Sequence, residues 1–271
     1  MSNTQQRLAD DLVGLAANLA RQAGTMVATG RADGIVATAK SSATDMVTQF
    51  DHESELLITT RLRAERPDDG LLGEEGAAVV GTSGIEWLID PIDGTTNFLY
   101  DLPSWAVSIA ALDSVGALAG AVYVPALDEL FTATRGGGAW LNGERIRCGD
   151  VADPAVALTA TGFGYLAERR AQQGARVARL LPQVRDIRRL GAASVDLCYV
   201  AAGRLDAYFE EGLGAWDFAA GALIAREAGC RTGDFDGGPA SSSSLLAANP
   251  TLFEPMRALI VAASAAPPGI M

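Results

Sequence analysis

Histidine is nearly absent from this sequence, with His52 the single one among 271 residues. Ser-His-Asp triads, phosphohistidine phosphatases and histidine-rich metallohydrolases require histidines that this chain lacks or has only once. His52 lies in QFDHESELLITTRL, an amphipathic helical pattern in which an exposed or capping side chain is expected. Those enzyme classes are therefore excluded, and any chemistry has to come from other side chains.

Cysteine is also scarce, and its arrangement excludes two further kinds of site. The three cysteines are far apart and odd in number, so neither a disulfide framework nor a zinc cluster is expected. They are Cys148, Cys198 and Cys230. Cys198 and Arg204 match the spacing of the cysteine phosphatase motif, but the residues between them continue a helical pattern, AASVDLCYVAAG. The loop of free amide groups that a phosphate-binding thiolate needs is not predicted there.

The chain lacks an excess of positive charge and a long apolar run. Its 21 basic and 33 acidic residues give a net charge of -12, and the nearest approach to a basic cluster, RDIRRL at 185–190, is short and mixed with apolar residues. We therefore expect no nucleic acid partner. Without a run of 18 apolar residues or a signal-like N-terminus, we expect no membrane association and a cytoplasmic location. An acidic site can bind phosphate only if cations lie between the two.

Hydrophobic patterns divide the chain into two predicted lobes. Residues 1–153 combine helices with an antiparallel meander over 105–147, and residues 154–271 alternate strands and helices. The expected fold class is α+β or α/β. The predicted helices are 6–29, 51–65, 165–181, 192–202, 216–228 and one after Pro250. The other predicted strands are GIVATAK, GLLG, 155–161, DIRRLG and LDAYFEE, with turns at SSATD (41–45) and SSSS (241–244).

The stretch WLIDPIDGTTNF, residues 87–98, contains the first candidate site. Its apolar beginning is typical of the end of a buried strand, and Asp90 and Asp93 follow where that strand leaves the core. Pro91 stiffens the turn, and Gly94 with the threonines after it resembles the opening of a helix or tight turn. Two carboxylates beside free amide groups indicate a metal ion that holds an anion. Asp-Gly turns and simple helix caps give the same pattern, so this stretch alone leaves both interpretations open.

Further acids occur at the ends of predicted elements. Glu74 and Glu75 follow the strand GLLG, and Asp217 opens the helix WDFAAGALIAREAG. Taken singly, Asp217 is typical of a helix cap and Glu75 of a solvated loop acid. Hard divalent cations prefer oxygen ligands, and histidine is almost absent, so an all-oxygen site is consistent with magnesium.

Five stretches together resemble the inositol monophosphatase family. They are WLIDPIDGTTNF, WDFAAGALIAREAG, GEE at 73–75, KSSATDMVTQFD at 40–51 and GAASVDLCYVAAGRLDAYFEEG at 191–212, and they cover nearly the whole chain in the family's order. The resemblance implies a layered αβαβα sandwich, a homodimer, and magnesium-dependent hydrolysis of a phosphomonoester that lithium often inhibits.

The resemblance also implies a ligand set for two to three magnesium ions. A first ion would be held by Glu74, Asp90 and the backbone carbonyl of Ile92. A second would be shared by Asp90, Asp93 and Asp217, and a third, weaker one would lie near Glu74 through water.

The implied catalytic groups are Thr95, paired with Asp51, and Glu74, which would orient and activate water for in-line attack. The backbone of Gly94 and Thr95 would donate to the phosphate. The implied substrate contacts are Gly94, Thr95, Asp93, Asp217 and three residues of the second lobe. In that lobe, Glu210 would accept hydrogen bonds from polyol hydroxyls, Ala193 would line the pocket, and Arg188 would contact the substrate or the dimer partner. A strand-end surface acid is the alternative interpretation of Glu210.

The chain departs from the family pattern at four positions. Tyr100 stands where many members have histidine, and Cys230 replaces the second glycine of the family's EAGG. Gln49 and Phe50 replace the more frequent EA before Asp51. None of these is an implied metal ligand, so the departures bear on substrate choice.

The function that we expect is hydrolysis of inositol-1-phosphate and related sugar or polyol monophosphates. Histidinol phosphate and fructose-1,6-bisphosphate are alternative substrates of the same fold. A non-catalytic binding factor for a transcription complex is an alternative of another class, although a binding protein has no need of the complete acid set.

Overall fold

Alternating layers of helices and sheets make up the computed structural model, which describes residues 2–40 and 45–265. Within those ranges the α-helices are α1 (Asn3–Gly30), α2 (Gln49–Glu65), α3 (Thr95–Leu99), α4 (Ala167–Leu180), α5 (Ala193–Ala201), α6 (Ala215–Glu227) and α7 (Pro250–Ala265). The first strands are β1 (Ala37–Ala39), β2 (Met46–Thr48), β3 (Gly70–Gly73), β4 (Ala78–Val79), β5 (Glu86–Asp93), β6 (Ala106–Asp113), β7 (Gly116–Val124) and β8 (Glu129–Thr134). The remaining strands are β9 (Gly138–Leu141), β10 (Glu144–Ile146), β11 (Leu158–Thr161), β12 (Asp186–Arg188), β13 (Ala207–Glu210), β14 (Arg231–Gly233) and β15 (Leu245–Ala248). None of these helices has an apolar stretch long enough to span a membrane.

An eight-stranded sheet has the order β10-β9-β8-β7-β6-β5-β3-β4. Its neighbouring strands are antiparallel except β3 and β5, which run parallel. Helices α1 and α2 cover one face, where Leu12 and Leu19 of α1 and Ile58 of α2 share a buried cluster with Trp87 and Ile109 of the sheet. Helix α6 covers the other face.

A five-stranded sheet has the order β12-β11-β13-β15-β14. Its first three strands are parallel, and β13, β15 and β14 pair antiparallel. Helix α5 packs against one face, and α7 with α4 covers the other through Leu180, Phe209 and Met256. A small antiparallel hairpin of β1 and β2 lies before α2.

Small residues let α6 lie close to both of its neighbours. A Cβ added to Gly221 would be 2.8 Å from the Cβ of Leu197 in α5, and one added to Gly120 of β7 would be 3.1 Å from the Cα of Ala220. Helices α5 and α6 therefore form a middle layer between the two sheets. The layers run α1/α2, large sheet, α5/α6, small sheet and α4/α7, which confirms the predicted αβαβα sandwich.

The elements differ from the predicted ones at several points. Strands β2, β4, β14 and β15 were not predicted; the apolar run LLAA of β15 shows no alternation. The prediction that the strand before Asp90 ends at Ile89 is wrong, because β5 continues to Asp93. The SSSS segment forms surface bends in which only Ser244 is buried. Most of the predicted SSATD turn lies outside the described residues.

The boundary between residues 153 and 154 stays a prediction. One hydrophobic cluster joins Val122 and Phe131 of the large sheet to Val195, Leu223 and Tyr208 beyond that boundary. Both parts of the chain therefore share one buried layer, and the site described next is built from both.

Candidate active site

A cavity of about 540 Å³ opens beside the ends of β3, β5, β13, α5 and α6. Its lining includes most of the residues that the sequence singled out: Glu74, Asp90, Ile92, Asp93, Gly94, Thr95, Ala193, Glu210 and Asp217. Asp51 and Arg188 are not among the lining residues. The candidate residues, separated by up to 143 positions in sequence, thus converge on one acidic cavity.

The carboxylates of Asp90 and Asp93 reach the same cavity because β5 is irregular. Residues three apart in a regular strand point to opposite faces. The pairing of β5 with β6 shifts register between Asp90, opposite Ser108, and Asp93, opposite Ala106. Such a bulge turns the strand locally, and both side chains line the cavity. A bulge that redirects side chains at the strand end replaces the rigid turn predicted from Pro91.

Asp90 is buried among other acids. Asp90 is only 1% exposed, and its Oδ1 accepts a hydrogen bond from the Ile92 N–H at 3.1 Å. Burial, followed by repulsion from the nearby Glu74, Asp93 and Asp217, raises the pKa of Asp90 well above its usual range. The charged form of Asp90 is therefore costly here without a cation.

Asp93 joins the two parts of the chain. Its Oδ2 accepts the Ser194 N–H at 2.7 Å and the Ser194 hydroxyl at 2.6 Å, and its Oδ1 accepts the Ala193 N–H at 3.3 Å. These amide groups open α5, so the carboxylate also faces the positive end of a helix. Burial nevertheless raises the pKa of Asp93 to about 6, against the hydrogen bonds from Ser194.

Thr95 and Asp51 form the predicted pair. The Thr95 hydroxyl lies 3.1 Å from Asp51 Oδ1 and 3.0 Å from the carbonyl oxygen of Ile92, to either of which it can donate. Asp51 is held from behind, where its Oδ2 accepts the Thr48 N–H at 2.8 Å and the Thr48 hydroxyl at 2.6 Å. Thr48 is the N-cap of α2, so a capping box fixes the orientation of Asp51. Burial raises the pKa of Asp51, although the bonds from Thr48 oppose the shift.

Gly94 has a left-handed conformation, with φ +89°. A Cβ at this position would lie 3.0 Å from the carbonyl oxygen of Ser104 and 3.1 Å from the Cβ of Ala192. Glycine is therefore needed both for the backbone conformation and for the close approach. It turns the chain from β5 into α3, which begins at Thr95.

Glu74 lies in a loop that a buried acid of α2 supports. Glu55 accepts the N–H groups of Glu75 at 2.8 Å and Ala77 at 2.9 Å. A Cβ added to Gly73 would be 2.2 Å from Glu55 Oε2, so only glycine lets this carboxylate reach the loop. Glu55 was not predicted to act at the site, since in sequence it resembles any polar residue of an amphipathic helix.

Lys40 supplies a positive charge at the acidic rim. Its Nζ lies 3.0 Å from Glu74 Oε1 and also donates to Glu75. Burial lowers the pKa of Lys40, but the Glu74 and Glu75 carboxylates outweigh burial and the net shift is upward. Burial raises the pKa of Glu74, while Lys40 lowers it and the net shift is upward. Glu75, considered above as a solvated loop acid, instead has a largely buried side chain that pairs with Lys40.

Asp217 caps α6 and also lines the cavity. Its Oδ2 accepts the N–H of Gly214, the N-cap residue of α6, at 2.8 Å. The side chain also lines the cavity. Burial, followed by repulsion from Asp93 and Glu74, raises its pKa well above the usual range. The residue is therefore a helix cap whose carboxylate is also part of the acidic cluster.

Glu210 ends β13 inside the cavity. Its Oε2 accepts the hydroxyl of Tyr208 at 2.6 Å. Burial raises the pKa of Glu210 to about 7, although the bond from Tyr208 and the charge of Arg189 oppose the shift. The alternative of an exposed strand-end acid does not describe this partly buried, cavity-lining side chain.

Arg188 and Arg189 have different surroundings. Arg188 lies on β12, half exposed, and pairs with Asp186 at 2.6 Å. Arg189 lines the cavity near Glu210 and Asp196. The sequence analysis predicted DIRRLG as a strand, and the family resemblance implied Arg188, the first of the two adjacent arginines, as a contact with substrate or dimer partner. Arg188 is the last residue of β12, and Arg189 follows the strand.

Several other cavity residues were not predicted. Besides Lys40 and Arg189, the lining includes Tyr165, Arg169 and Trp216. Trp216 lies next to Asp217 in the second motif, and that adjacency was the available signal. Tyr165 and Arg169 come from the segment around the start of α4, which carries no recognisable pattern for a site.

Residues that the sequence assigned to other roles also have defined positions. His52 is exposed, with its Nδ1 3.9 Å from Glu75 Oε2, which confirms the expected surface position. Tyr100 is 75% exposed. Cys198 is fully buried in α5, and Arg204 pairs with Glu129 at 2.6 Å, so the cysteine phosphatase interpretation is excluded by position.

The described part of the chain holds no group of three or more His, Cys, Asp or Glu side chains already arranged as a metal cage. The carboxylates instead engage protein partners: Glu74 pairs with Lys40, Asp93 with Ser194, and Asp217 with Gly214. Their chemistry suits a hard cation, because every candidate ligand is an oxygen. Burial and repulsion raise the pKa values of Asp90 and Asp217, and a bound cation would offset both effects.

This chain is similar in sequence to a known family and to several named proteins. Residues 9–265 match the model of the inositol monophosphatase family. The inositol-1-monophosphatase of Mycobacterium bovis is 49% identical over 211 residues, which cover 74% of this chain and 72% of the relative. The Nus factor SuhB of Escherichia coli is 41% identical over 253 residues, which cover 91% and 94%.

Solved structures give the same result for the fold. The extragenic suppressor protein suhB from Bartonella henselae superposes with a TM-score of 0.87 at 35% identity, covering 92% of this chain and 98% of that one. An IMPase of Thermotoga maritima superposes with a TM-score of 0.85 at 31% identity, covering 93% and 98%. With the acidic cavity and its motifs in place, these matches show that the chain belongs to the inositol monophosphatase family.

Proposed function

We propose that this protein is a magnesium-dependent phosphomonoesterase that hydrolyses inositol-1-phosphate and related sugar or polyol monophosphates. The observation that carries the proposal is the convergence of Glu74, Asp90, Asp93 and Asp217 on one cavity beside the Thr95–Asp51 pair. Relatives named inositol-1-monophosphatase, such as that of Rhizobium meliloti at 44% identity, support the same activity.

The residues that would hold two to three magnesium ions are Glu74, Asp90, the carbonyl of Ile92, Asp93 and Asp217. Magnesium, when bound, would lower the pKa of the attacking water and offset charge on the phosphoryl oxygens. The net charge of -12 makes such cations necessary, because the acidic cavity alone would repel a phosphate.

The chain's own contribution is to hold water, proton and phosphate in place. Thr95 can accept a hydrogen bond from water while its own hydroxyl proton is directed to Asp51. The capping box at Thr48 fixes the orientation of Asp51, so its Oδ1 stays within hydrogen-bond distance of the Thr95 hydroxyl. Glu74 would orient the same water, and the backbone N–H groups of Gly94 and Thr95 would donate to the phosphate. Preorganised groups of this kind favour in-line attack without further ordering.

The polar residues opposite the acids would select the substrate. Glu210 would accept hydrogen bonds from polyol hydroxyls, and the backbone near Ala193 would line the pocket. Arg189, which faces the cavity, is added here to the predicted contacts. Arg188 stays a prediction for a contact with substrate or with a second copy of the chain. Homodimer formation, lithium inhibition and a cytoplasmic location likewise stay predictions.

Steady-state kinetics test the proposal directly. We expect turnover of inositol-1-phosphate in the presence of magnesium and none in excess chelator, with activity restored by adding magnesium back. The kcat/KM values for histidinol phosphate and fructose-1,6-bisphosphate should be lower than that for inositol-1-phosphate. Full turnover in chelator by protein freed of metal would refute the metal dependence, and a clear preference for either alternative would change the substrate.

The role of Glu210 has its own test. The Glu210→Gln variant should lose much more kcat/KM on inositol-1-phosphate than on a small generic phosphoester, which lacks polyol hydroxyls. Equal losses on both substrates would mean that Glu210 supports the fold or the acidic cluster instead.

A non-catalytic binding factor for a transcription complex is the second candidate. It is favoured by the Nus factor SuhB relatives, which align with about nine-tenths of the chain. An inactive variant such as Asp217→Asn separates the two roles, because it would still bind its partner complex if binding does not depend on turnover. Wild-type protein that is inactive on every phosphomonoester with magnesium present would favour this candidate alone.

A further inference from the structure

Two of the three cysteines meet at the end of α6 that is remote from the cavity. Cys148 follows β10 by two residues, and its N–H donates to the carbonyl oxygen of Ala228 at 3.0 Å. Cys230 lies two residues beyond Ala228, where its N–H donates to the carbonyl oxygen of Ala225 at 2.9 Å. These backbone bonds hold the two cysteines side by side, although they are far apart in sequence.

The side chains of the pair are in contact. The Cys148 sulfur lies 3.6 Å from the position that a Cβ on Gly229, the residue before Cys230, would occupy. The Cys230 thiol donates a hydrogen bond to the Cys148 sulfur. Cys230 is buried, with 7% exposure, whereas Cys148 is only partly buried and can be reached from solvent. Cys198 is enclosed in α5 and belongs to neither contact.

The two thiols differ in reactivity. The hydrogen bond from Cys230 lowers the pKa of Cys148 to about 7, although burial opposes the shift. The pKa of Cys230 is raised, first because its proton is shared with Cys148 and then because it is buried. The more exposed sulfur is therefore the better nucleophile, and a second sulfur waits beside it, an arrangement typical of a redox pair.

The proposed phosphatase chemistry does not use this pair. Helix α6 has 13 residues between the two ends, which separates Asp217 from Cys230 by about 20 Å. Cys230 also replaces the second glycine of the family's EAGG motif, so the fold at this turn does not require a thiol. The pair therefore has no role in the proposed active site.

We propose that Cys148 and Cys230 form an intramolecular disulfide bond by exchange with a small-molecule disulfide. The Cys148 thiolate attacks one sulfur of the reagent, which breaks the reagent's S–S bond and releases one thiolate. That thiolate takes up the proton of Cys230. The Cys230 sulfur then attacks the Cys148 sulfur and releases the second half of the reagent. Both cysteines are oxidised, and one reagent disulfide is reduced to two thiols.

The bond would join the segment after the large sheet to the segment between α6 and the small sheet. It would close a loop of about 80 residues, which restricts the unfolded chain more than the folded one. We therefore expect the oxidised protein to melt several degrees higher than the reduced protein. Because the cavity is at the other end of α6, kcat and KM should change by less than twofold.

The test uses the full-length protein and oxidised glutathione. After equilibration and alkylation, peptide mapping without reductant should show a peptide pair linked through Cys148 and Cys230. Cys230→Ser should stop at a mixed disulfide with glutathione on Cys148, since the second attack is removed. Cys148→Ser should lose both products. Cys198→Ala is the matched control and should form the same bond as wild type.

Three results would overturn the proposal. The first is a stable glutathione adduct on Cys148 in the wild type with no internal bond. The second is a disulfide that involves Cys198 in protein that circular dichroism shows to be folded. The third is equal thermal midpoints for oxidised and reduced protein, because a bond that closes this loop in the folded protein should raise the midpoint. Reversal of the linkage by reduced glutathione, with the midpoint returning to its original value, would support it.

Discussion

The charge of Glu210 should make the stability of this protein depend on pH in a way that one substitution can isolate. Its pKa rises from an ordinary 4.5 to about 7 in the folded protein, chiefly because the side chain is buried. As the pH rises, the unfolded state therefore releases the Glu210 proton at a lower pH than the folded state does. A raised pKa of this kind contributes stability below pH 4.5, and that contribution is lost as the pH rises through about 7.

The size of the effect follows from the shift. Each unit of pKa difference between the two states corresponds to about 1.4 kcal/mol, so a change from 4.5 to about 7 gives about 3 kcal/mol. This is a sizeable part of the free energy of unfolding of an ordinary domain. Glu210→Gln removes the titration and keeps an oxygen that can accept the Tyr208 hydroxyl, which Glu210 accepts at 2.6 Å.

The assay is urea unfolding followed by far-ultraviolet circular dichroism, in chelator, from pH 4.5 to pH 8.5. We expect the free energy of unfolding of Glu210→Gln, minus that of wild type, to rise by about 3 kcal/mol across this range. Other buried acids titrate in both proteins, so their contributions largely cancel in the difference. Glu144→Gln is the control, because Glu144 is an exposed residue on β10.

Parallel curves for Glu210→Gln and wild type would refute the reasoning, since they would mean that Glu210 ionises equally easily in both states. A difference that falls with rising pH would contradict it more strongly. That sign would require Glu210 to be stabilised as a carboxylate, with Arg189 dominating over burial. A pH-dependent difference of the same size in Glu144→Gln would point to the net charge of the whole chain instead.

Three substitutions test other parts of the site. Asp217→Asn should keep the cap on α6, so its free energy of unfolding in chelator should lie within about 1 kcal/mol of the wild-type value or be slightly higher. Its kcat should nevertheless fall by several orders of magnitude. Near-normal turnover would mean that Asp217 is not a metal ligand. Gly73→Ala should displace Glu55 and destabilise the protein by about 1–3 kcal/mol in urea unfolding, with a lower kcat through Glu74; unchanged stability would show that the loop yields without cost. Thr95→Val should lower kcat by about 10²-fold or more with little change in KM, and Thr95→Ser should recover part of the loss. Equal kcat values for the two variants would mean that the hydroxyl has no part in the reaction.

The sequence by itself determined the main elements and the chemical type of the site. Apolar patterns predicted α1, α4, α5 and α6 close to their observed ranges, and the alternating pattern over 105–147 predicted the antiparallel strands β6 to β10. The near absence of histidine and the acids at element ends predicted an oxygen-ligand cavity. These properties depend on local pattern and composition, so they can be read before any distance is known.

Only the tertiary structure decided which side chains meet. The register shift in β5 brings Asp90 and Asp93 to one side, a result that depends on pairing with β6. Arg189 rather than Arg188 lines the cavity, and Arg188 pairs with Asp186 instead. Such outcomes follow from contacts between segments that are distant in sequence, and a local pattern contains no information about those distances.

The contact between Cys148 and Cys230 shows the same division. In the sequence, three separated cysteines indicated no framework, and Cys230 was only a departure from a glycine. The fold places the end of β10 against the end of α6, where a backbone bond from Cys148 to Ala228 brings the two sulfurs together. Residue types set the chemistry that is available to this chain, and long-range packing determines which pairs of residues can carry it out.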